Sequence, residues 1–105
     1  MSYDSMNRAY FLEKAGELIS GQRASDYGDA RLNHQRIADI WGVILDQEIT
    51  PEQVCACMIG LKLARLTNDM KQDDTWVDIA GYAALGGEII IDLCPLPIGL
   101  TRSIN

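Results

Sequence analysis

The sequence predicts an all-α fold, an antiparallel four-helix bundle, from three observations. Apolar residues recur at intervals of three and four, the spacing of one helix face. Aspartate, threonine and proline stand where several of these segments begin. No stretch of useful length alternates strictly between apolar and polar residues. We therefore expect helices near residues 8–20, 30–45, 51–68 and 74–90, without a sheet.

Composition indicates one helical domain over residues 1–105, with a core over 8–90 and a tail over 91–105. Of the 105 residues, 48% are hydrophobic and 23% are charged, which argues against disorder. The net charge of −6 argues against nucleic acid or an anionic membrane as a partner. No apolar run approaches the roughly 20 residues that span a bilayer, and the N-terminus lacks a basic segment followed by an apolar one. We therefore expect a cytoplasmic protein.

The connection between the first two helices is predicted to be a polar loop that carries functional side chains. Gly28 can take a positive φ, and Asp29 can cap the second helix. Loops on a rigid scaffold often carry binding residues. The candidates for ligand binding in this loop are Arg23, Asp26 and Tyr27.

The second helix is predicted to place one polar residue on an otherwise apolar face. That face carries Asn33, Ile37, Ile40, Trp41 and Ile44. A polar amide there needs a partner, so Asn33 either bridges to a neighbouring backbone or binds the polar edge of a ligand. His34, one position further round, is expected to lie at the surface or to pack on a loop.

The third helix has a strong predicted start, with Thr50 as the cap, Pro51 at the first helical position and Gln53 closing a capping box. Its core residues are predicted to be Val54, Met58, Leu61 and Leu66. Another face carries Lys62, Arg65 and Asp69. These charges form either an ordinary solvated face or, through Lys62 and Arg65, a clamp for an anion.

The fourth helix is predicted to begin at an aspartate cap, Asp73 or Asp74, and to present two faces. Its apolar stripe comprises Trp76, Ile79, Ala80 and Ala83. The adjacent face stacks Asp74, Asp78 and Tyr82, each four residues apart. Two carboxylates and a phenol in one column indicate a binding site. Gly86-Gly87 either interrupts this helix or allows close packing.

The three cysteines, Cys55, Cys57 and Cys94, do not form a predicted metal site. Side chains two residues apart on a helix point about 200° apart, so Cys55 and Cys57 cannot grip one ion together. The chain also has a single histidine. We expect three reduced and mostly buried thiols, no metal and no cofactor.

The tail is predicted to be irregular and apolar, because Pro95 and Pro97 exclude a regular helix there. Small residues over 80–84 and this tail leave more apolar surface than one subunit is expected to cover. We therefore expect a homo-oligomer, a dimer or a higher closed assembly, with Trp76 and the tail near the contact.

These residues together resemble a family of small phage and prophage proteins of unknown function. The resemblance covers roughly residues 10–88. The segments that carry it are Asp26-Tyr27-Gly28-Asp29, Asn33, Trp41, Leu61-Lys62-Leu63-Ala64-Arg65-Leu66 and Asp74-x-Trp76-x-Asp78-x-Ala80-Gly81-Tyr82-Ala83. More distantly, the chain is similar to the all-α MazG-like nucleoside triphosphate pyrophosphohydrolases and to phage nucleotide-modification-associated domains.

The MazG-like resemblance implies a magnesium site built from an E-x-x-E pair on one helix and an E-x-x-D pair on the next. Asp78 stands where the last aspartate of this pattern would lie. Thr75 stands at the partner glutamate position, and Lys62 and Arg65 replace the earlier glutamate pair. Cations do not ligate Mg²⁺ but can bind phosphate directly, so the resemblance implies binding of a nucleotide without its cleavage.

The leading hypothesis is therefore a phage-type protein that binds a nucleotide or nucleotide-derived molecule, with Lys62 and Arg65 towards phosphate and the other candidates around the sugar or base. Sequestering a host immune signal, as phage sponge proteins do, fits such a binder. The alternative is a Mg²⁺-dependent pyrophosphohydrolase that uses Asp69, Asp74 and Asp78. A third hypothesis is a structural or protein-interaction module in which the cations pair with Asp74 and Asp78 across a helix interface.

Overall fold

The computed structural model describes residues 5–20 and 29–93, which form four helices. These are α1 (Arg8–Ser20), α2 (Ala30–Leu45), α3 (Pro51–Leu66) and α4 (Asp73–Leu93). Within these two ranges there is no strand, so the predicted all-α fold is confirmed. The helix bounds also agree with the prediction, except that α3 ends at Leu66 instead of 68 and α4 runs from Asp73 to Leu93 instead of from 74 to 90.

The predicted caps define where α2 and α3 begin. The Asp29 carboxylate accepts a hydrogen bond from the backbone N–H of Arg31 at 2.8 Å, which satisfies a free donor in the first turn. At α3, the backbone N–H of Thr50 donates to Gln53 Oε1 at 2.9 Å, and Pro51 occupies the first helical position.

The start of α4 differs from the predicted aspartate cap. The helix begins at Asp73, so Asp73 and Asp74 both lie within its first turn, where carboxylates favour the positive end of the helix dipole. Gln72 precedes the helix, and its side-chain oxygen accepts a hydrogen bond from the Thr75 hydroxyl at 3.0 Å.

Helix α4 is the centre of the arrangement. It pairs with α3 as an antiparallel hairpin, α1 packs on it, and α2 packs mainly on α3 with a smaller contact to α4. The antiparallel order is visible in two contacts, since Lys62 meets Asp78 while Cys55, earlier in α3, lies against Gly86, later in α4. A core cluster of Cys55, Leu85 and Ile89 packs against Ala30.

The buried face of α4 is rotated from the predicted stripe. Its buried positions at helical spacing are Val77, Gly81, Leu85 and Ile89. Trp76 is 41% exposed, and Ala83 is also exposed, so the predicted stripe was wrong at these residues. The indole N–H of Trp76 donates to the Met70 carbonyl at 2.9 Å, which ties the start of α4 to the preceding turn.

The predicted apolar faces of α2 and α3 also need correction. Ile40 and Ile44 of α2 are exposed, whereas Ala38 and His34 are buried. In α3, Val54 and Leu66 are buried as predicted, but Leu61 is exposed. The apolar pattern of each helix was compatible with more than one face, and contacts between helices select the buried one.

Two glycines mark close approaches of the backbone. Gly86-Gly87 does not interrupt α4, and a Cβ at Gly86 would lie 3.3 Å from Cys55 Cβ, so this glycine allows the hairpin to close. A Cβ at Gly42 would lie 2.9 Å from the Gln47 carbonyl oxygen, where the chain turns through the left-handed residue Asp46 (φ 54°).

Across the described ranges, none of the helices has the length and apolar character that crossing a bilayer requires.

Candidate functional site

All four helices line one open cavity of about 230 Å³. Its wall combines aliphatic, aromatic and polar side chains. The lining residues are Leu18, Ile19, Ala30, Asn33, His34, Ile37, Trp41, Met58, Lys62, Asp78, Gly81, Tyr82 and Leu85. Gly81 brings α1 close to α4 here, because a Cβ at this position would lie 3.4 Å from the Ile19 side chain. The cavity is therefore a product of the packing of the whole bundle.

An ion pair between α3 and α4 forms one side of the cavity. Lys62 Nζ lies 3.0 Å from Asp78 Oδ2, and the two side chains are only 13% and 26% exposed. Shielding from water strengthens their attraction but also raises the cost of leaving either charge alone. Each group therefore depends on the other, and both retain further hydrogen-bonding capacity towards the cavity.

His34 and Tyr82 meet at the cavity from α2 and α4, with ring centroids 6.0 Å apart in an edge-on arrangement. His34 is 8% exposed, so the expectation of a surface residue was wrong. Its Nδ1 lies 2.9 Å from the Ala30 carbonyl oxygen. A carbonyl only accepts, so Nδ1 carries a proton and donates it to the Ala30 carbonyl oxygen. The ring is fixed in place from its own helix.

Asn33 and Trp41 lie on the α2 wall of the same cavity. Asn33 is partly buried and brings an amide with both donor and acceptor atoms beside apolar neighbours such as Ile37. Trp41 contributes a large flat surface. Of the face predicted to carry Asn33, Ile37 and Trp41 line the cavity with it, whereas Ile40 and Ile44 are exposed.

The structure brings together some of the predicted site residues and separates others. Asn33, Lys62, Asp78 and Tyr82 line the cavity. Arg65 and Asp74 are exposed and do not line it. The three loop candidates, Arg23, Asp26 and Tyr27, lie outside the described residues. A role in ligand binding remains a prediction for each of these residues.

The carboxylates considered for a magnesium site, Asp69, Asp74 and Asp78, do not form a three-residue metal-binding group in the described part of the chain. No group of three or more histidine, cysteine, aspartate or glutamate side chains with a metal-binding arrangement occurs there. Asp69 instead accepts a hydrogen bond from the backbone N–H of Lys71 at 2.9 Å, in the turn that leads to α4. Asp78 is held by Lys62.

A second charged cluster, which sequence reasoning missed, joins the start of α2 to the end of α4. Arg31 pairs with Asp29 at 3.2 Å, with Glu88 at 3.6 Å and with Asp92. Hydrogen bonds to Asp29 and Asp92 raise the pKa of Arg31, and the Arg31 side chain in turn lowers the pKa of Asp29. The spacing of Glu88 and Asp92, four apart on one helix, was the available signal.

The two described cysteines have different surroundings. Cys55 is buried in the core cluster, and burial raises the pKa of its thiol to about 11. Cys57 is exposed and is thus an exception to the expectation of mostly buried thiols, and Cys94 lies outside the described residues. Neither described cysteine is in a disulfide.

Comparison with known proteins places this site in a phage protein family. The chain is 53% identical over 75 residues to the Gene 55 protein of Mycobacterium phage L5, which covers 70% of this chain and 48% of that protein. It is 39% identical over 72 residues to the Gene 55 protein of Mycobacterium phage D29, covering 69% of this chain and 48% of that protein. The chain thus spans about half the length of these relatives. The predicted resemblance to phage proteins is confirmed.

No solved structure matches the chain. The sequence pattern of one family, described as a domain of unknown function (DUF6378), matches residues 10–90. This range begins in α1 and ends near the end of α4, so it includes every residue that lines the cavity. Because the match covers most of the chain, the protein belongs to the DUF6378 family.

Proposed function

We propose that this protein binds a nucleotide-derived small molecule in the cavity between its four helices. The observation that carries the proposal is the composition of the cavity wall. Four polar residues predicted from the sequence to bind a ligand, Asn33, Lys62, Asp78 and Tyr82, line the same space. An apolar cavity with a few converging polar groups is the usual form of a small-molecule site.

The chemistry of the wall suits the parts of a nucleotide. Trp41, Tyr82 and His34 offer aromatic surface for a base. The Asn33 amide and the free Nε2 of His34 offer hydrogen bonds to base or sugar atoms.

The phage relatives suggest what such binding is for. A small phage-encoded protein that binds a nucleotide signal without consuming it can lower the free concentration of that signal in the host. Sequestration of a host immune signal is therefore our proposed role. The more distant similarity to MazG-like enzymes stays a prediction.

The direct test is to purify the protein from cells that make nucleotide signals and to identify bound small molecules by mass spectrometry. Calorimetry with the released compound then gives its affinity. Replacing Asn33 with Ala should weaken binding about tenfold, because one buried hydrogen bond is lost. Asn68→Ala is the matched control, since Asn68 is an exposed asparagine in the turn after α3. Equal affinity of wild type and Asn33→Ala would contradict the proposal.

The Lys62–Asp78 pair supports a second candidate function, a structural or protein-interaction module. The pair links α3 to α4 whether or not a ligand is present. In this case the charges stabilise the hairpin, and no small molecule copurifies with the protein. Magnesium-dependent release of pyrophosphate from nucleoside triphosphates, lost in Asp78→Asn, would instead favour the pyrophosphohydrolase.

We also infer that the protein forms a homo-oligomer. The outer face of α2 exposes several large apolar side chains, including Val43, which is 83% exposed. Such residues next to each other on one helix are typical of a contact surface. Light scattering should give a mass above that of the monomer, and Val43→Glu should reduce it. Leu12→Glu, a change of an exposed leucine on α1, is the control. A monomeric wild type would contradict the inference.

A further inference from the structure

We propose that the cavity takes an uncharged, planar group the size of a single ring system, such as a nucleobase, and that any phosphate of the ligand lies outside it. This inference rests on the proposed function and specifies which part of the ligand the protein recognises. It differs from the hypothesis drawn from the sequence, in which Lys62 and Arg65 together bind phosphate.

The first argument is charge. Among the described residues that line the cavity, Lys62 and Asp78 are the ionised side chains, and they neutralise each other at 3.0 Å. A phosphate at Lys62 would have to displace the Asp78 carboxylate or sit beside it. Either arrangement leaves a largely shielded anion without its partner or next to a second anion, which is costly.

The position of Arg65 supports the same conclusion. A clamp for phosphate gains its strength from two cations that converge on one anion. Arg65 is exposed and is not part of the cavity wall, although it lies only three residues after Lys62. The described residues therefore bring one cation to the cavity, and that cation already has a carboxylate partner.

The second argument is size. The cavity volume of about 230 Å³ is below the roughly 300–1,000 Å³ of pockets that hold drug-sized ligands. A complete nucleotide with its phosphates exceeds this space, whereas a base fits. The cavity is partly open to solvent, so a sugar and its phosphates can project out of it.

The third argument is the pattern of donors and acceptors. Lys62 keeps further N–H donors, and Asp78 keeps a second carboxylate oxygen, so a donor and an acceptor stand side by side. The Asn33 amide adds another donor and acceptor from α2. Adjacent donor and acceptor groups match the N–H and C=O edge of a nucleobase, and Trp41 or Tyr82 can cover its face.

Fluorescence of Trp41 offers a measurement specific to the cavity. The chain has two tryptophans, and Trp76 lies away from the cavity lining, so Trp76→Phe leaves Trp41 as the reporter. The probes are the common nucleosides, their 5′-mono- and triphosphates, inorganic phosphate and pyrophosphate. Calorimetry on the wild-type chain with the same probes measures their binding without the Trp76→Phe substitution.

We expect at least one nucleoside to change Trp41 emission with an affinity within about tenfold of its nucleotide, since phosphate makes little contact. Phosphate and pyrophosphate should have no effect. Affinity should change less than about threefold between low and high salt, because no net charge is neutralised on binding. Asn33→Asp should weaken nucleoside binding by about tenfold or more, since a donor is replaced by a charged acceptor, and Asn68→Asp should not.

Two outcomes overturn the inference in distinguishable ways. If nucleotides bind but the matching nucleosides bind more than about a hundredfold more weakly, phosphate is the recognised group. The inference then fails while the proposed function stands. If neither nucleosides nor nucleotides bind, the inference and the proposed function fail together.

Discussion

The interface between α3 and α4 and the exposed surface of the protein contain the same chemical groups in opposite surroundings. Lys62 and Asp78 form an ion pair that is largely shielded from water, whereas Arg31 is 47% exposed and its three carboxylate partners are about as exposed. Cys55 is buried in the same interface, whereas Cys57, two residues later, is exposed.

This comparison indicates that the access of water to a charged side chain, more than its number of partners, decides how much the side chain contributes to the stability of the fold. Arg31 has three partners, yet solvent screens exposed ion pairs and long side chains lose freedom in forming them. Lys62 has one partner, Asp78, but when either side chain of this pair is removed, the other remains shielded from water without a partner. Burial likewise disfavours the thiolate form of Cys55.

The largest expected difference is in thiol reactivity. Burial raises the pKa of Cys55 from 9.0 to about 11, so the thiolate fraction at neutral pH falls about 100-fold. We expect a thiol reagent to modify Cys57 at least about 100-fold faster than Cys55. Peptide mapping by mass spectrometry after timed labelling distinguishes the two positions. Equal rates in the folded protein would show that Cys55 is not shielded, and labelling in denaturant, where the rates should converge, is the control.

The next effect is on stability. Replacing Lys62 with Met leaves Asp78 shielded and unpaired, which should lower the free energy of unfolding by about 2 kcal/mol. The value is below that of a fully buried pair, because water reaches part of both side chains. The double variant Lys62→Met with Asp78→Leu should recover most of the loss, since it removes both charges. Urea denaturation of Lys62→Met, Asp78→Leu and the double variant measures this coupling; additive losses would mean that the pair is not a unit.

A smaller effect is expected at the exposed cluster. Arg31→Met keeps much of the side-chain volume and removes three ion pairs, but all four side chains remain accessible to water. The urea midpoint should therefore shift much less than in Lys62→Met, and the remaining shift should vanish at high salt. A loss as large as that of Lys62→Met would refute the distinction between the two clusters.

The smallest effect is the acid dependence of stability from Asp29. Its pKa lies below the ordinary value of 3.8, chiefly because Arg31 hydrogen bonds to the carboxylate. Stability from this group is present above the unfolded pKa and is lost as pH falls through the folded pKa. Asp29→Asn keeps the helix cap and removes the charge, so it should flatten the stability profile slightly below about pH 4. Urea midpoints of the wild type and of Asp29→Asn are measured across this pH range. Identical slopes of midpoint against pH would mean that the pairing of Asp29 with Arg31 has no effect.

Local signals in the sequence predicted the helices well, because caps act over a few residues. Asp29 and Thr50-Pro51 specify where α2 and α3 begin with no help from the rest of the chain. The buried face of α4 could not be assigned in this way. Ile79, Ala80 and Ala83 make more than one side of the helix apolar, and packing against three neighbours selects the face through Gly81 and Leu85.

The site was predictable only where one helix contained the signal. The column of Asp78 and Tyr82 follows from their spacing, and both residues line the cavity. His34 is buried because Tyr82, distant in sequence, packs beside it, and nothing near His34 in the sequence indicates this. The pairing of Lys62 with Asp78 was one of three hypotheses, and the register of the α3–α4 hairpin determines it.

The position of α4 at the end of the described chain has a consequence for synthesis on the ribosome. Among the four helices, α1 precedes the other three in the chain, but its main packing partner is α4, which follows them. Chain elongation proceeds at about 5–20 residues per second, slowly compared with helix formation. The apolar side of α1 therefore stays without its native contact for several seconds in each round of translation. A chaperone that binds nascent chains can bind α1 in this interval, which ends when α4 has left the ribosome and packs on α1.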